Sequence, residues 1–271
     1  MSEKKVKSWD VITYKDIEEN IQEDNVPGSN KVKEETSNVE EKRDQIKECK
    51  KVSKKGLFDL SAKPYWVRNL FPVLMEAVFL IFCFKLPENY IIYASFIFYL
   101  VLFLFYVITR NITFRKFLMN VSSGASFWKS VAISTLFFIA AYCLTGIIEY
   151  NFPKLDPGFY PLKATNGFSF LIFCITALFL APVVEETFYR GNLILTDSKS
   201  FIIVTSIVSI LLYSIEHSFT VWGIISAAIW AIPLTFAYLK TKKFYVTMMA
   251  NLIGSLLGNL PYIIYFLIKK F

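Results

Sequence analysis

Residues 167–195 read GFSFLIFCITALFLAPVVEETFYRGNLIL. The run carries no charge until Glu185, where two adjacent glutamates and then Arg190 appear. Its length approaches the ~20 residues that cross hydrocarbon. Charges inside such a run are costly unless paired or put to use. The stretch therefore reads as a membrane helix with chemistry in it. Similar apolar stretches surround it at 66–86, 89–108, 130–148, 201–217, 221–239 and 244–268. The expected fold is all-α, a polytopic transmembrane helical bundle of about seven spans.

Composition agrees. A chain of 271 residues with 55% hydrophobic residues and 27 Phe is richer in both than a soluble domain. Residues 1–63 hold 14 Lys+Arg and 14 Asp+Glu, whereas residues 64–271 hold only 15 and 8. Such a polar tail buries too little surface to offset its chain entropy, so 1–63 is expected to be disordered. Its lysines Lys47, Lys50, Lys51, Lys54, Lys55 and Lys63 suit anionic lipid headgroups. Residues 64–129 are expected to form two transmembrane helices and an interfacial helix with Arg110, Arg115, Lys116 and Lys129. Residues 130–271 are expected to form the core unit. The loop YNFPKLDPGFYPLK (150–163) contains three prolines and is expected to be irregular.

The net charge of +7 comes from the body, where basic residues fall between apolar runs rather than on one folded face. That distribution excludes nucleic acid as a partner. No signal peptide is expected from MSEKKVKSWD, and Lys269-Lys270-Phe271 is no CaaX box. Four scattered cysteines give no disulfide or zinc spacing, and one histidine excludes a multi-histidine metal site. With the N-terminus cytoplasmic, inner loops carry Arg110, Arg115, Lys116, Lys129, Lys199, Lys240, Lys242 and Lys243. Outer loops carry Lys85, Lys154 and Lys163, and Lys269 and Lys270 also fall outside. No internal repeat of the transporter kind is visible.

The informative residues are the charges within apolar runs: Glu76, Glu149, Glu185, Glu186, Arg190, Glu216 and His217. Glu186 and Arg190 are i,i+4 neighbours and can pair. Glu185 is rotated ~100° from Glu186 on a regular helix and escapes that arginine. Burial suits such a carboxyl to general-base work. The competing reading is a helix that leaves the membrane at Glu185 with an ordinary surface pair. Tyr213 and His217 share a helix face, and Glu216 can cap the helix exit or meet headgroups. Glu149 lies near a helix end and can reach water.

Depth tests whether these groups can meet. From an inner turn at Asp197–Ser200, Glu185 lies ~18 Å up one helix and His217 ~25 Å up the next. From Lys243, Asn251 lies ~12 Å and Ser255 ~18 Å up the last helix. The estimate needs the Glu185 helix to continue to about Leu195. Asn251, Ser255 and Asn259 form a polar stripe, and Gly254 and Gly258 form a GxxxG that lets a helix approach closely. The stripe fits a packing seam and a site equally.

EExxxR, then an aromatic residue four before a histidine, then HxxxN on a later helix mark a known family. Over roughly residues 130–260 the chain resembles the CPBP (CAAX protease and bacteriocin-processing, or Abi) family of intramembrane endopeptidases. Glu185, Glu186 and Arg190 complete the first motif. Tyr213 replaces the usual Phe of the second, which keeps His217. In the third, Asn251 stands where histidine is expected and Ser255 where asparagine is expected. A shifted alignment puts Ser255 and Asn259 there instead; spacing favours the first.

The resemblance implies an endopeptidase that hydrolyses a peptide bond in a membrane-associated protein or peptide. Glu185 would be the base and His217 its partner or proton donor. Glu186 with Arg190 would organise the helix, and Asn251 would donate to the oxyanion, a contribution of roughly 3 kcal/mol. Asparagine carries no proton at neutral pH, so the alternative is a catalytically impaired scaffold or regulator of an envelope enzyme or sensor kinase. A transporter is the third possibility. No cofactor is expected, because one histidine and two glutamates make a poor zinc set. The expected partners are membrane lipids, a membrane-associated substrate and a partner membrane protein, and the expected setting is the bacterial cell membrane.

Overall fold

The computed structural model describes residues 65–159, 162–196 and 198–270. The disordered-tail reading and its lysine cluster fall outside the described residues. Among the described residues there are helices and no strand. They are α1 (Tyr65–Lys85), α2 (Glu88–Ile108), α3 (Phe114–Val121), α4 (Ala125–Asn151), α5 (Gly167–Asn192), α6 (Lys199–His217), α7 (Val221–Thr241) and α8 (Phe244–Lys270). Six of them, α2 and α4 to α8, are long and apolar enough to cross a membrane. The remaining stretch read as a span forms α1, whose length is sufficient but which carries Arg68, Glu76 and Lys85.

Polar residues set the helix starts. Asn166 and Ser169 form a reciprocal capping box before α5. Ser198 accepts from the Phe201 N–H to open α6, and Thr220 accepts from the Gly223 N–H to open α7. Apolar side chains such as Leu136, Phe137, Ile203, Phe236 and Ile268 point outward. Ser209, Ser214, Ser226, Thr247, Glu186 and Arg190 are buried inside. That inverted distribution belongs to a bundle whose solvent is hydrocarbon. The helix α3 buries none of its residues and exposes Phe114, Leu118 and Met119.

Packing of α4, α7 and α8 is close and specific. A Cβ on Gly254 of α8 would overlap the Phe138 ring of α4. The glycine is what lets these helices touch, as the GxxxG reading expects. Gly258 has more room, since a Cβ there would lie 4.0 Å from Tyr142 Cζ. Trp230 Nε1 of α7 donates to Thr145 Oγ1 at 2.9 Å. Trp222 Nε1 donates to Glu149 Oε1 at 3.0 Å, so Glu149 clasps α7 rather than simply reaching water.

The proline-rich loop before α5 is irregular but anchored. Phe159 and Ser218 form an isolated bridge, and Ser218 Oγ donates to the Pro157 carbonyl at 2.6 Å. Thr220 Oγ1 donates to the Asp156 carbonyl at 2.7 Å. Gly158 takes a positive φ of 51° against the Thr220 side chain, a position no Cβ could share.

The helix α5 is not a uniform rod. It widens into π turns at Thr176–Leu180 and again at Glu186–Asn192, with five α-helical residues between. Pro182 lacks an N–H, which disturbs the regular ladder between the two wide turns. Wide turns of this kind recur at functional sites. The helix ends at Asn192, three residues before the expected Leu195.

Candidate active site

The second wide turn carries the first motif. Arg190 Nη1 donates to Glu186 Oε1 at 2.9 Å, and both side chains are fully buried. Arg190 Nη2 also donates to the Ala231 carbonyl at 3.2 Å, and the guanidinium lies 4.9 Å from the centre of the Tyr213 ring. The pair is a buried internal one, so the reading of a helix that leaves the membrane at Glu185 is excluded. A fully buried charge pair with hydrogen bonds on both members fixes local geometry more than it stabilises the fold.

Glu185 faces a different set of groups. Its Oε1 lies 3.7 Å from His217 Nε2 and 3.1 Å from the Tyr99 hydroxyl. Its Oε2 accepts from Asn251 Nδ2 at 3.1 Å. The expected separation of the two glutamates is incomplete, because the same amide donates to Glu186 Oε1 at 3.0 Å. Wide turns bring neighbouring carboxyls closer in azimuth than a regular helix would. Asn251 Oδ1 accepts from Ser255 Oγ at 3.1 Å, so every polar atom of that amide is engaged.

His217 is held from behind. Its Nδ1 lies 2.7 Å from the Tyr213 carbonyl, and its ring stacks on the Tyr213 ring with centroids 4.1 Å apart. A carbonyl can only accept, so Nδ1 carries the hydrogen and Nε2 is turned toward Glu185. Tyr213 thus orients the imidazole through both its backbone and its ring.

Glu216 departs from expectation. It is buried and neither caps the helix exit nor meets headgroups. Its Oε1 lies 2.7 Å from the Tyr99 hydroxyl and its Oε2 lies 2.5 Å from the Tyr189 hydroxyl. The Tyr189 hydroxyl also lies 3.1 Å from Glu76 Oε1 of α1. Sequence reasoning singled out Glu76 and Glu216 as costly but missed Tyr99 and Tyr189, which connect them to Glu185. A tyrosine in an apolar run gives no warning. Only its distance from a carboxyl reveals it.

These groups surround a cavity of about 280 Å³. Glu185, Glu216, His217 and Tyr99 line it, together with Asn251, Ser255 and Asn259 of the α8 stripe. The stripe therefore faces the cavity, while Gly254 beside it serves the seam with α4.

Among the described residues no group of three or more His, Cys, Asp or Glu could hold a metal ion. His217 has only Nε2 to offer, and both Glu185 oxygens already accept hydrogen bonds.

Residues 167–256 match the family model described as type II CAAX prenyl endopeptidase Rce1-like. The matched stretch runs from the start of α5 into α8 and holds Glu185, Glu186, Arg190, His217 and Asn251. No curated protein and no solved structure matches the chain. The resemblance carried by the motifs is borne out over those residues, a shorter span than 130–260 because α4 lies outside the match. With six apolar helices of spanning length, the chain is an integral membrane protein, and over this segment it is similar to the Rce1-like endopeptidases.

Proposed function

We propose that the protein is an intramembrane endopeptidase of the CAAX-protease type, in which Glu185 activates a water that hydrolyses a peptide bond in a membrane-associated protein or peptide. The approach of Glu185 Oε1 to His217 Nε2 at 3.7 Å, on the wall of the cavity, carries this reading. A water held within hydrogen-bond reach of both atoms would stand where the nucleophile is needed, and such contacts tighten when substrate binds. Glu185 takes a proton from that water as its oxygen adds to the carbonyl carbon. His217, fixed by Tyr213, holds the water's lone pair toward the substrate. Glu186 and Arg190 hold the wide turn that aims Glu185.

The test is cleavage of a farnesylated CaaX peptide by purified full-length protein in nanodiscs. Wild type is expected to cut, and Glu185→Gln to abolish cutting. Equal rates in both would refute the proposal.

One observation favours a second reading, a catalytically silent membrane scaffold for an envelope enzyme or sensor kinase. Asn251 spends both amide hydrogens on Glu185 and Glu186, so neither is left for an oxyanion. In cells, that reading expects Glu185→Gln and His217→Ala to leave the phenotype intact; loss in both excludes it.

We further infer a bacterial cell membrane as the setting and a cytoplasmic N-terminus. Arg110, Arg115, Lys116, Lys199, Lys240, Lys242 and Lys243 all fall at one end of the bundle. Positive charge concentrates on the cytoplasmic side. The same orientation puts the anchored loop 152–159 and the α6–α7 turn outside.

A further inference from the structure

Hydrolysis by Glu185 and His217 leaves Glu216, Glu76, Tyr189 and Tyr99 without a task, yet they are continuous with the base. Glu185 Oε1, the Tyr99 hydroxyl and Glu216 Oε1 follow one another at 3.1 and 2.7 Å. Glu216 Oε2, the Tyr189 hydroxyl and Glu76 Oε1 continue the series at 2.5 and 3.1 Å. All five side chains are buried.

Counting hydrogens decides how such a chain is charged. Each of the four contacts needs one hydrogen, and the two phenols own one each. A carboxylate only accepts, so two of the three carboxyls must be acids for every contact to be a hydrogen bond. Three carboxylates would instead leave two contacts as opposed lone pairs, at high cost in a buried site. The nearby cation Arg190 is already committed to Glu186 and the Ala231 carbonyl. Of the three carboxyls, Glu185 alone accepts a further hydrogen bond, from Asn251 Nδ2, so the single negative charge rests there. Every hydroxyl then points one way: Glu76 to Tyr189, Tyr189 to Glu216 Oε2, Glu216 Oε1 to Tyr99, and Tyr99 to Glu185.

We propose that Glu216 is held as a neutral acid that reprotonates Tyr99, and that Tyr99 delivers the proton the departing amine requires. This rests on the endopeptidase reading and supplies the proton donor that Asn251 cannot be. Tyr99 and Glu216 both line the cavity beside Glu185 and His217, and the Tyr99 hydroxyl lies 3.1 Å from the base. Tyr189 and Glu76 keep Glu216 in place, with Oε2 accepting and Oε1 bearing the proton.

The step balances. Water gives one proton to Glu185 and its oxygen to the carbonyl carbon. The carbon–nitrogen bond breaks, its electron pair stays on nitrogen, and nitrogen takes the Tyr99 proton. Tyr99 takes the Glu216 proton. The proton parked on Glu185 then passes through Tyr99 to Glu216. Peptide and water become acid and amine, and the protein returns to its starting state.

Infrared spectroscopy of the full chain in nanodiscs at neutral pH tests the proton sharing without requiring turnover. Wild type is expected to show hydrogen-bonded carboxylic acid absorption that shifts in deuterated water. Glu216→Gln and Glu76→Gln should each remove part of it, and Tyr99→Phe should shift the Glu216 component. A wild-type spectrum without that absorption, or one that Glu216→Gln leaves unchanged, overturns the proposal; the wild-type spectrum decides even should a variant fail to fold. With the farnesylated CaaX peptide, Tyr99→Phe and Glu216→Gln should lower kcat about 100-fold or more and change KM little. Unaltered kcat also overturns it. A wild type that shows the acid absorption but cuts nothing refutes the endopeptidase reading and leaves the shared proton standing.

Discussion

Asn251 holds Glu185 through an Nδ2 donation to Oε2 at 3.1 Å. The same amide reaches Glu186, so one neutral side chain on α8 ties together two acids on α5. A histidine at this position would offer at most one hydrogen per ring nitrogen, and those diverge. Asparagine is therefore well suited to clasping both carboxyls, whatever it forgoes in proton transfer.

Asn251→Leu should strip both glutamates of a buried donor. We expect a loss of about 1–3 kcal/mol in stability. Reversible unfolding of the purified protein in mixed micelles would measure it. An unchanged midpoint would mean that the amide bears no weight in the fold.

Arg190→Leu should be worse, because it leaves Glu186 buried without its cation. Removing one member of such a pair costs about 3–5 kcal/mol. The double variant Glu186→Leu/Arg190→Leu should recover most of the loss, and a double-variant cycle in the same unfolding assay reads the recovery.

Gly254→Val should force α8 away from Phe138. Overpacking of this kind costs about 1–3 kcal/mol. Adding Phe138→Ala should restore part of it, whereas Gly258→Ala, where a Cβ meets little, should be nearly neutral. Melting temperatures of the three variants would rank them.

Ser218→Ala should free the loop before α5 without touching the acids. Ser218 Oγ donates to the Pro157 carbonyl and lies 3.1 Å from the Gly158 carbonyl. Amide hydrogen exchange should quicken in 152–159 and stay slow in α5. Equal exchange in wild type and variant would show that the bridge and Thr220 suffice.

The orientation has its own check. In a background with cysteines removed, Lys154→Cys and Lys242→Cys should react with an impermeant maleimide from opposite sides of the membrane. Labelling of Lys242→Cys from outside intact cells would reverse the topology.

The helices were legible because hydrocarbon imposes one rule, a long uncharged run, which 167–184 and its neighbours obey. Glu185, Glu186, Arg190 and His217 stood out because charge in lipid is rare. The wide turns of α5 left no trace in periodicity, so the sharing of Asn251 by both glutamates could not be foreseen. Tyr99 and Tyr189 were hidden for a different reason. A phenol suits apolar runs as well as any aromatic, and its role appears only when a carboxyl from a distant helix arrives beside it.

The wide turn at Glu186–Asn192 makes the site sensitive to chain length rather than to composition. Excising a single residue there would let the backbone settle into its ordinary pitch and change the azimuth at which Glu185 and Arg190 face their separate partners. Hydropathy would barely register the change, so a homologue shortened by one residue would still insert as a membrane protein while having lost its centre.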